Sequence, residues 1–253
     1  MRLTVVGCSG SFPGPDSPAS CYLVQAPYDG RTYSLVLDLG NGSLGTLQRH
    51  VRLDEVDVVA LSHLHVDHCV DIASYYVVRT YHPGGRLPPL PVVGPPGTAQ
   101  RVARAYDLPG TDALSAVFSF GDWVVDRPQH WGPFTVRVTR VQHPVEAYAV
   151  RVEHEGRSLV YSGDTGPCDA LVDLAREVDV LLCEASFLDG EDNPPGLHLT
   201  GRQAAEHASR AGAERLLLTH VPPWHDRERV LDEARPAYRG RLELAEPGAT
   251  YDV

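Results

Sequence analysis

A layered α/β fold, with its chemistry gathered at strand ends, is what this sequence predicts. Three observations predict it. Short apolar strands alternate along the chain with runs of helical periodicity. Several strands lead straight into His, Asp or Glu. Most specific of all, His63, His65, Asp67 and His68 fall within six residues directly after the apolar run Val56 to Leu61. In layered α/β architectures, sites form where strand ends gather.

The first third is rich in strands. Leu3 to Val6, Tyr22 to Gln25 and Ser34 to Leu39 are short apolar runs bounded by Gly, Pro or Asp. Gly7 to Ser20 is a loop of glycine, serine and proline, full of free backbone amides but without the spacing of a dinucleotide fingerprint. A short helix is expected over Gly42 to His50, followed by the strand Val56 to Leu61, which opens into the His-rich loop. From Cys69 to Thr80 apolar residues recur at helical spacing, so that loop ends in a helix N-terminus. Tyr81 to Gly97 holds six prolines and four glycines, which predicts neither helix nor regular strand but a lid or a linker within the domain, read first as a surface loop beside the site. Gly97 to Asp107 reads as another helix.

The second half repeats the pattern of strand then ligand. Phe134 to Val141 leads to His143, Ser158 to Tyr161 to Asp164, Val178 to Leu182 to Glu184, and Arg215 to Leu218 to His220. Ala147 to Tyr161 reads as a hairpin. Helices at Cys168 to Arg176 and Thr200 to Gly212 would cover the sheet. Nothing marks a domain boundary, so residues 1–253 are expected to form one domain.

Composition narrows the function classes. The net charge of -11 argues against extended contact with a nucleic-acid backbone. It leaves room for a small anionic substrate, because divalent ions dominate a local field. All 22 basic residues are Arg, which excludes Schiff-base chemistry and a phosphate-binding P-loop lysine. Five cysteines without Cys-x-x-Cys spacing read as small core residues in a reducing compartment. No apolar run approaches the roughly 20 residues that span a bilayer, so no membrane association is expected and the cytoplasm is the expected location.

Imidazoles and carboxylates suit zinc, manganese or iron. A closed structural zinc site is the alternative, but two thiol-free clusters side by side look like an open catalytic centre. Of the remaining histidines, His50, His82, His130, His154, His207 and His225 lack strand-end placement and read mostly as surface residues. His82 and His225 are the ones placed to meet a substrate.

The run His63-Leu64-His65-Val66-Asp67-His68 resembles the His-x-His-x-Asp-His signature of the metallo-β-lactamase superfamily. His143, Asp164 in Ser-Gly-Asp-Thr-Gly and His220 follow in family order. The resemblance implies a four-layer αβ/βα sandwich with two divalent metal ions at one edge of its sheets, zinc first, with Mn²⁺ or Fe²⁺ as alternatives. It places His63, His65 and His143 on one ion, Asp67, His68 and His220 on the other, and Asp164 between them. Asp67 also counts among the catalytic residues, and Asp38 resembles a carboxylate that orients a ligand histidine.

Glu184-Ala185-Ser186 and His198-Leu199-Thr200 resemble motifs of the tRNA 3′-processing endonuclease branch, in which a Glu-supported His lies beside the departing oxygen. His198 and Glu184 are therefore the expected catalytic pair; capping of the helix near Thr200 is the alternative role for His198. Only 20 residues lie between His143 and Asp164, too few for the long basic arm with which those endonucleases hold tRNA. tRNA is accordingly not expected as a partner.

The phrases Gly-Cys-Ser-Gly-Ser, Ser-His-Leu-His-Val-Asp-His-Cys, Leu-Cys-Glu-Ala-Ser and Leu-Leu-Leu-Thr-His-Val-Pro-Pro-Trp are similar to the actinobacterial, mycobacterial-type family of atypical class II cyclic-nucleotide phosphodiesterases. This implies hydrolysis of a 3′,5′-cyclic nucleotide, cAMP in the first place, to the 5′-monophosphate by a hydroxide bridging two metal ions. The alternatives are a lactone or thioester hydrolase on the same metals, or an endonuclease-like enzyme without the arm. Relatives commonly dimerise, so a homodimer is the expected assembly, although no isolated interface motif stands out.

Overall fold

The structure is a computed structural model that describes residues 1–125 and 127–253. Strands β1 (Arg2–Gly7), β2 (Cys21–Tyr28) and β3 (Arg31–Leu37) pair antiparallel. β4 (Val58–Ala60), β5 (Leu90–Gly94) and β6 (Phe118–Asp122) extend the sheet in parallel. The second sheet repeats this plan. β7 (Gln129–Trp131), β8 (Phe134–Arg140), β9 (Tyr148–His154) and β10 (Arg157–Tyr161) form an antiparallel meander, which β11 (Val180–Glu184), β12 (Arg215–Thr219) and β13 (Arg241–Leu244) continue in parallel. β14 (Thr250–Asp252) returns to the first sheet, with Tyr251 opposite Leu3 of β1.

The alternation of side chains along each strand divides the core into three layers. In β2, Tyr22 and Val24 face the other sheet, where they join Phe134, Val136, Val150 and Leu182. Cys21 and Leu23 face the opposite way, towards helices α1 (Ser43–Leu47), α2 (Val66–Cys69), α3 (Asp71–Thr80), α4 (Thr98–Ala105) and α5 (Asp112–Ser115). On the second sheet, Leu181, Cys183, Leu216 and Leu218 face α6 (Asp169–Leu174), α7 (Gly201–Ala211) and α8 (Arg227–Ala234). Strands covered on both faces read as continuous apolar runs, which is why β2, β11 and β12 show little polar alternation. Each fully buried Leu or Val adds about 1.5–3 kcal/mol. The result is the four-layer αβ/βα sandwich.

Tyr81 to Gly97 departs from expectation, because it contains a regular strand, β5, set between β4 and β6. Proline is tolerated there because the ladder to β4 involves only Val92 and Val93, leaving Pro91 beside β6 alone. Elsewhere the elements keep their expected places with shifted ends. The strand before the His-rich loop narrows to β4, preceded by a 3₁₀ turn at Leu53–Glu55. Ala147 to Tyr161 does form a hairpin, β9 and β10. Helix α7 starts where Thr200 and Gln203 form a reciprocal cap and ends at Gly212 in a left-handed conformation. No helix among the described residues is long and apolar enough to cross a membrane.

Candidate metal centre

The carboxyl ends of β4, β8, β10, β11 and β12 meet at one edge of the sandwich. β4 delivers His63 and His65, and the chain then turns at once into α2, so Asp67 and His68 sit on a helical turn rather than an open loop. β8 leads to His143, β10 to Asp164, β11 ends on Glu184 and β12 leads to His220. Two tight backbone contacts hold this edge. A Cβ on Gly40 would stand 1.9 Å from the Asp67 carbonyl oxygen, and one on Gly10 would stand 2.1 Å from that of His220, so both positions exclude any side chain. Asp38 and His220 themselves hold φ of 57°, a conformation that costs of order 1–3 kcal/mol in a residue with a side chain.

All seven residues expected as metal ligands come together in two groups. His63, His65, His143 and Asp164 form one, and Asp67, His68, Asp164 and His220 the other; within each, candidate ligand atoms lie within 4.8 Å of one another. Asp164 belongs to both, with Oδ2 3.6 Å from His63 Nε2 and Oδ1 3.2 Å from His68 Nε2.

The surrounding hydrogen bonds fix which nitrogen of each imidazole faces the centre. Asp38 accepts from the Ser62 amide at 2.6 Å, the Ser62 hydroxyl at 2.7 Å and the Tyr161 hydroxyl at 2.7 Å. It stands 2.7 Å from His68 Nδ1, and because a carboxylate only accepts, that nitrogen carries the proton. The Ser62 hydroxyl has given its hydrogen to Asp38, so at 3.0 Å it accepts from His63 Nδ1. Ser186 gives its hydrogen to the His220 carbonyl and therefore accepts from His220 Nδ1 at 2.7 Å. His143 Nδ1 donates to the Leu197 carbonyl at 3.0 Å. In the neutral form of each of these four rings Nε2 is left as a lone pair turned inward.

Ring nitrogens then face one another at close range. His63 Nε2 is 3.0 Å from His65 Nδ1, His143 Nε2 is 3.2 Å from the same atom, and His68 Nε2 is 3.1 Å from His220 Nε2. Each of these contacts needs a proton or a cation between the two nitrogens, and a divalent ion can serve several of them at once. Bonds of about 2.0–2.1 Å to a tetrahedral ion would set ligand atoms roughly 3.3 Å apart. Asp164 Oδ1, buried and without a hydrogen-bond partner, fits the same requirement. The residues therefore suit a pair of divalent ions bridged by Asp164.

Electrostatics agree. Burial, reinforced by neighbouring His68, holds His63 well below the ordinary imidazole range, and burial lowers His65 and His143 as well, so all three stay neutral, the form that ligates. His68 is the exception: burial opposes its charge, yet the carboxylates of Asp164 and Asp38 raise it well above that range, so its Nε2 holds a proton that a bound cation would displace. Burial disfavours ionised Asp67 too, but His220 and His68 beside it keep it well below the carboxylate range.

Glu184 and His198 also meet. Glu184 is fully buried and accepts from the backbone amides of Thr165 at 2.7 Å, Ser186 at 3.2 Å and Leu199 at 3.2 Å. His198 Nδ1 lies 2.8 Å from Glu184 Oε1 and 3.9 Å from Asp164 Oδ2. Burial works against the imidazolium, but Glu184 and then Asp164 overcome it and push His198 up to about 9. Thr200 caps α7, so His198 is not needed for that role.

The sequence reading gave no role to Ser62, Tyr161, Ser186 or the Leu197 carbonyl. The signal was present for two of them, since Ser62 and Ser186 stand within motif phrases that carry the ligand histidines and Glu184. His207 corrects another expectation: it is buried, with Nδ1 at 2.7 Å from the Gln203 carbonyl and Nε2 accepting from the Cys168 amide at 3.0 Å. Its place within α7, facing the core, makes it structural. Cys8, Cys21, Cys69 and Cys183 are buried free thiols, as expected of core residues.

A family model described as the β-lactamase superfamily domain matches residues 35–221, the span that contains all of the candidate ligands. The chain belongs to the metallo-β-lactamase superfamily. Within it, the probable metallo-hydrolase YhfI of Bacillus subtilis is 29% identical over the full length of both chains. The crystal structure of that protein superposes with a TM-score of 0.88, covering 99% of each chain. An uncharacterized protein of Mycobacterium leprae is 46% identical, covering all of this chain and 89% of that one. Ribonuclease Z of Myxococcus xanthus is 30% identical, covering all of this chain and 98% of its own. The chain is accordingly a metallo-hydrolase of this superfamily, with two His and Asp clusters that could hold metal ions.

Proposed function

We propose that this superfamily member is a phosphodiesterase of small substrates, opening a 3′,5′-cyclic nucleotide, cAMP in the first place, to the 5′-monophosphate. The observation that carries this reading is the Glu184–His198 pair beside the metal clusters. A phosphodiester leaves as an alkoxide, a poor leaving group that needs a proton as the bond to phosphorus breaks. His198 is built to supply one. Glu184, locked by three backbone amides, binds Nδ1 and keeps the ring charged, which leaves the Nε2 proton to go to the departing 3′ oxygen. When bound, a pair of divalent ions supplies an activated water and neutralises charge on the non-bridging phosphoryl oxygens. The chain's own task is to fix those ions through the seven ligands, with Asp38, Ser62, Tyr161 and Ser186 holding the rings in one orientation.

Two further features support a small substrate over tRNA. The stretch between His143 and Asp164 is spent on the β9–β10 hairpin, and the net charge is -11. A ribonuclease Z relative agrees with a phosphodiester as the bond attacked. Turnover of cAMP, cGMP and bis(p-nitrophenyl) phosphate by purified protein loaded with Zn²⁺ or Mn²⁺ tests the reading. cAMP is expected to give 5′-AMP, and turnover of none of the three with metal bound would refute it. The lactone or thioester alternative predicts that His198→Ala leaves activity on such esters intact.

A further inference from the structure

Phe12 and Trp224 are large aromatic side chains that the fold leaves open to solvent, 38% and 64% exposed. Their ring centroids are 4.9 Å apart with planes inclined at 35°. They come from opposite ends of the sequence and meet because the Gly7 to Ser20 loop is tied to the segment after β12. Ser9 bridges to Val221, and the Gly10 amide donates to the Val221 carbonyl at 3.1 Å. The same contact brings Phe12 to the metal centre: the amide of Ser11, the preceding residue, points at His220 Nε2 from 3.3 Å.

The loop that carries Phe12 is also tied down. The Phe12 amide closes a turn on the Gly10 carbonyl, and its own carbonyl accepts from the Ser9 hydroxyl at 2.7 Å. Trp224 follows Pro222 and Pro223, and its indole N–H donates to His225 Nε2 at 3.3 Å. An exposed pair of aromatic rings, packed on each other and carried on segments anchored beside the candidate metal centre, bears a cost in water that a purely structural role does not explain. It is preorganised to receive a flat ring.

We propose that Phe12 and Trp224 form the stacking platform for the nucleobase of the substrate, an assignment that rests on the phosphodiesterase reading. Stacking tolerates any base, so the platform supplies affinity for nucleotides as a class and leaves the choice among bases to other contacts. Aromatic platforms of this kind account for about ten- to a hundredfold in affinity per base.

The test is calorimetric binding of AMP and of ribose 5-phosphate, which lacks only the base, to the metal-loaded protein and to its Trp224→Ala and Trp224→Phe variants. The wild type is expected to prefer AMP by about ten- to a hundredfold; Trp224→Ala should erase that preference with ribose 5-phosphate binding kept, and Trp224→Phe should restore most of it. A preference that survives Trp224→Ala, or an equal loss for both phosphates, overturns the platform. So does a change confined to sedimentation behaviour, which would make the pair a contact between copies. A wild type that binds neither phosphate refutes the phosphodiesterase reading itself.

Discussion

The two ligand clusters share Asp164 but differ in how the protein holds them. Asp67, His68, Asp164 and His220 are all buried, whereas in the other group His65 and His143 are partly exposed. The buried cluster is anchored by side chains: Asp38 on His68, itself gripped by Ser62 and Tyr161, and Ser186 on His220. The open cluster leans on a backbone carbonyl at His143 and on the indirect chain from His63 through Ser62 to Asp38. The difference teaches that one half of the centre is part of the core and the other half opens towards solvent. His198 stands by the shared Asp164, its ring 5.6 Å from both His143 and His220.

Removing the shared ligand should erase this contrast. Asp164→Ala is expected to empty both clusters, with bound metal falling from two equivalents to less than one by elemental analysis and turnover lost beyond detection. Retention of one full equivalent would show that the clusters are independent.

Asp38→Asn should divide them. Replacing an outer carboxylate that orients a ligand typically weakens metal affinity by about 10–100-fold. The tighter of the two binding steps in a metal titration should weaken by that factor, because Asp38 braces the buried cluster. His65→Ala should instead weaken the looser step. Asp38→Asn also leaves Ser62 and Tyr161 hydroxyls without a charged acceptor, a loss of about 1–3 kcal/mol in thermal or denaturant unfolding. Equal effects of the two variants on both steps would contradict the division.

The smallest effect is a pH limb. His198 is raised from 6.5 to about 9, so its proton is fully present below the ordinary value and is lost as pH rises through the folded one. Turnover should fall on the alkaline side with a midpoint at or below about 9, since neighbouring divalent cations pull it down. The stability gained from the His198–Glu184 pair fades over the same window. Glu184→Gln should move the limb towards 6.5.

The sequence exposed the chemistry more fully than its support. Most of the candidate ligands, Asp38 and Glu184 were legible because each stands where an apolar strand runs out, whereas His198, in the loop before α7, was legible only through its motif resemblance. Tyr161 was harder: its hydroxyl reaches Asp38 across 123 positions, and read alone a buried Tyr looks like core. β5 was hidden by prolines whose missing N–H matters only if the neighbouring ladder reaches them. β13 and β14 are short edge strands with exposed residues, and nothing in their local pattern distinguishes them from loops. Phe12 and Trp224 meet only through the fold.

The central claim, that His198 protonates a departing alkoxide, is tested most directly by the leaving group. His198→Ala should cost about 10²- to 10⁴-fold in kcat/KM on cAMP. On bis(p-nitrophenyl) phosphate, whose phenolate departs without a proton, it should cost little, and both measurements should show full metal content. An equal loss on the two substrates would contradict the account.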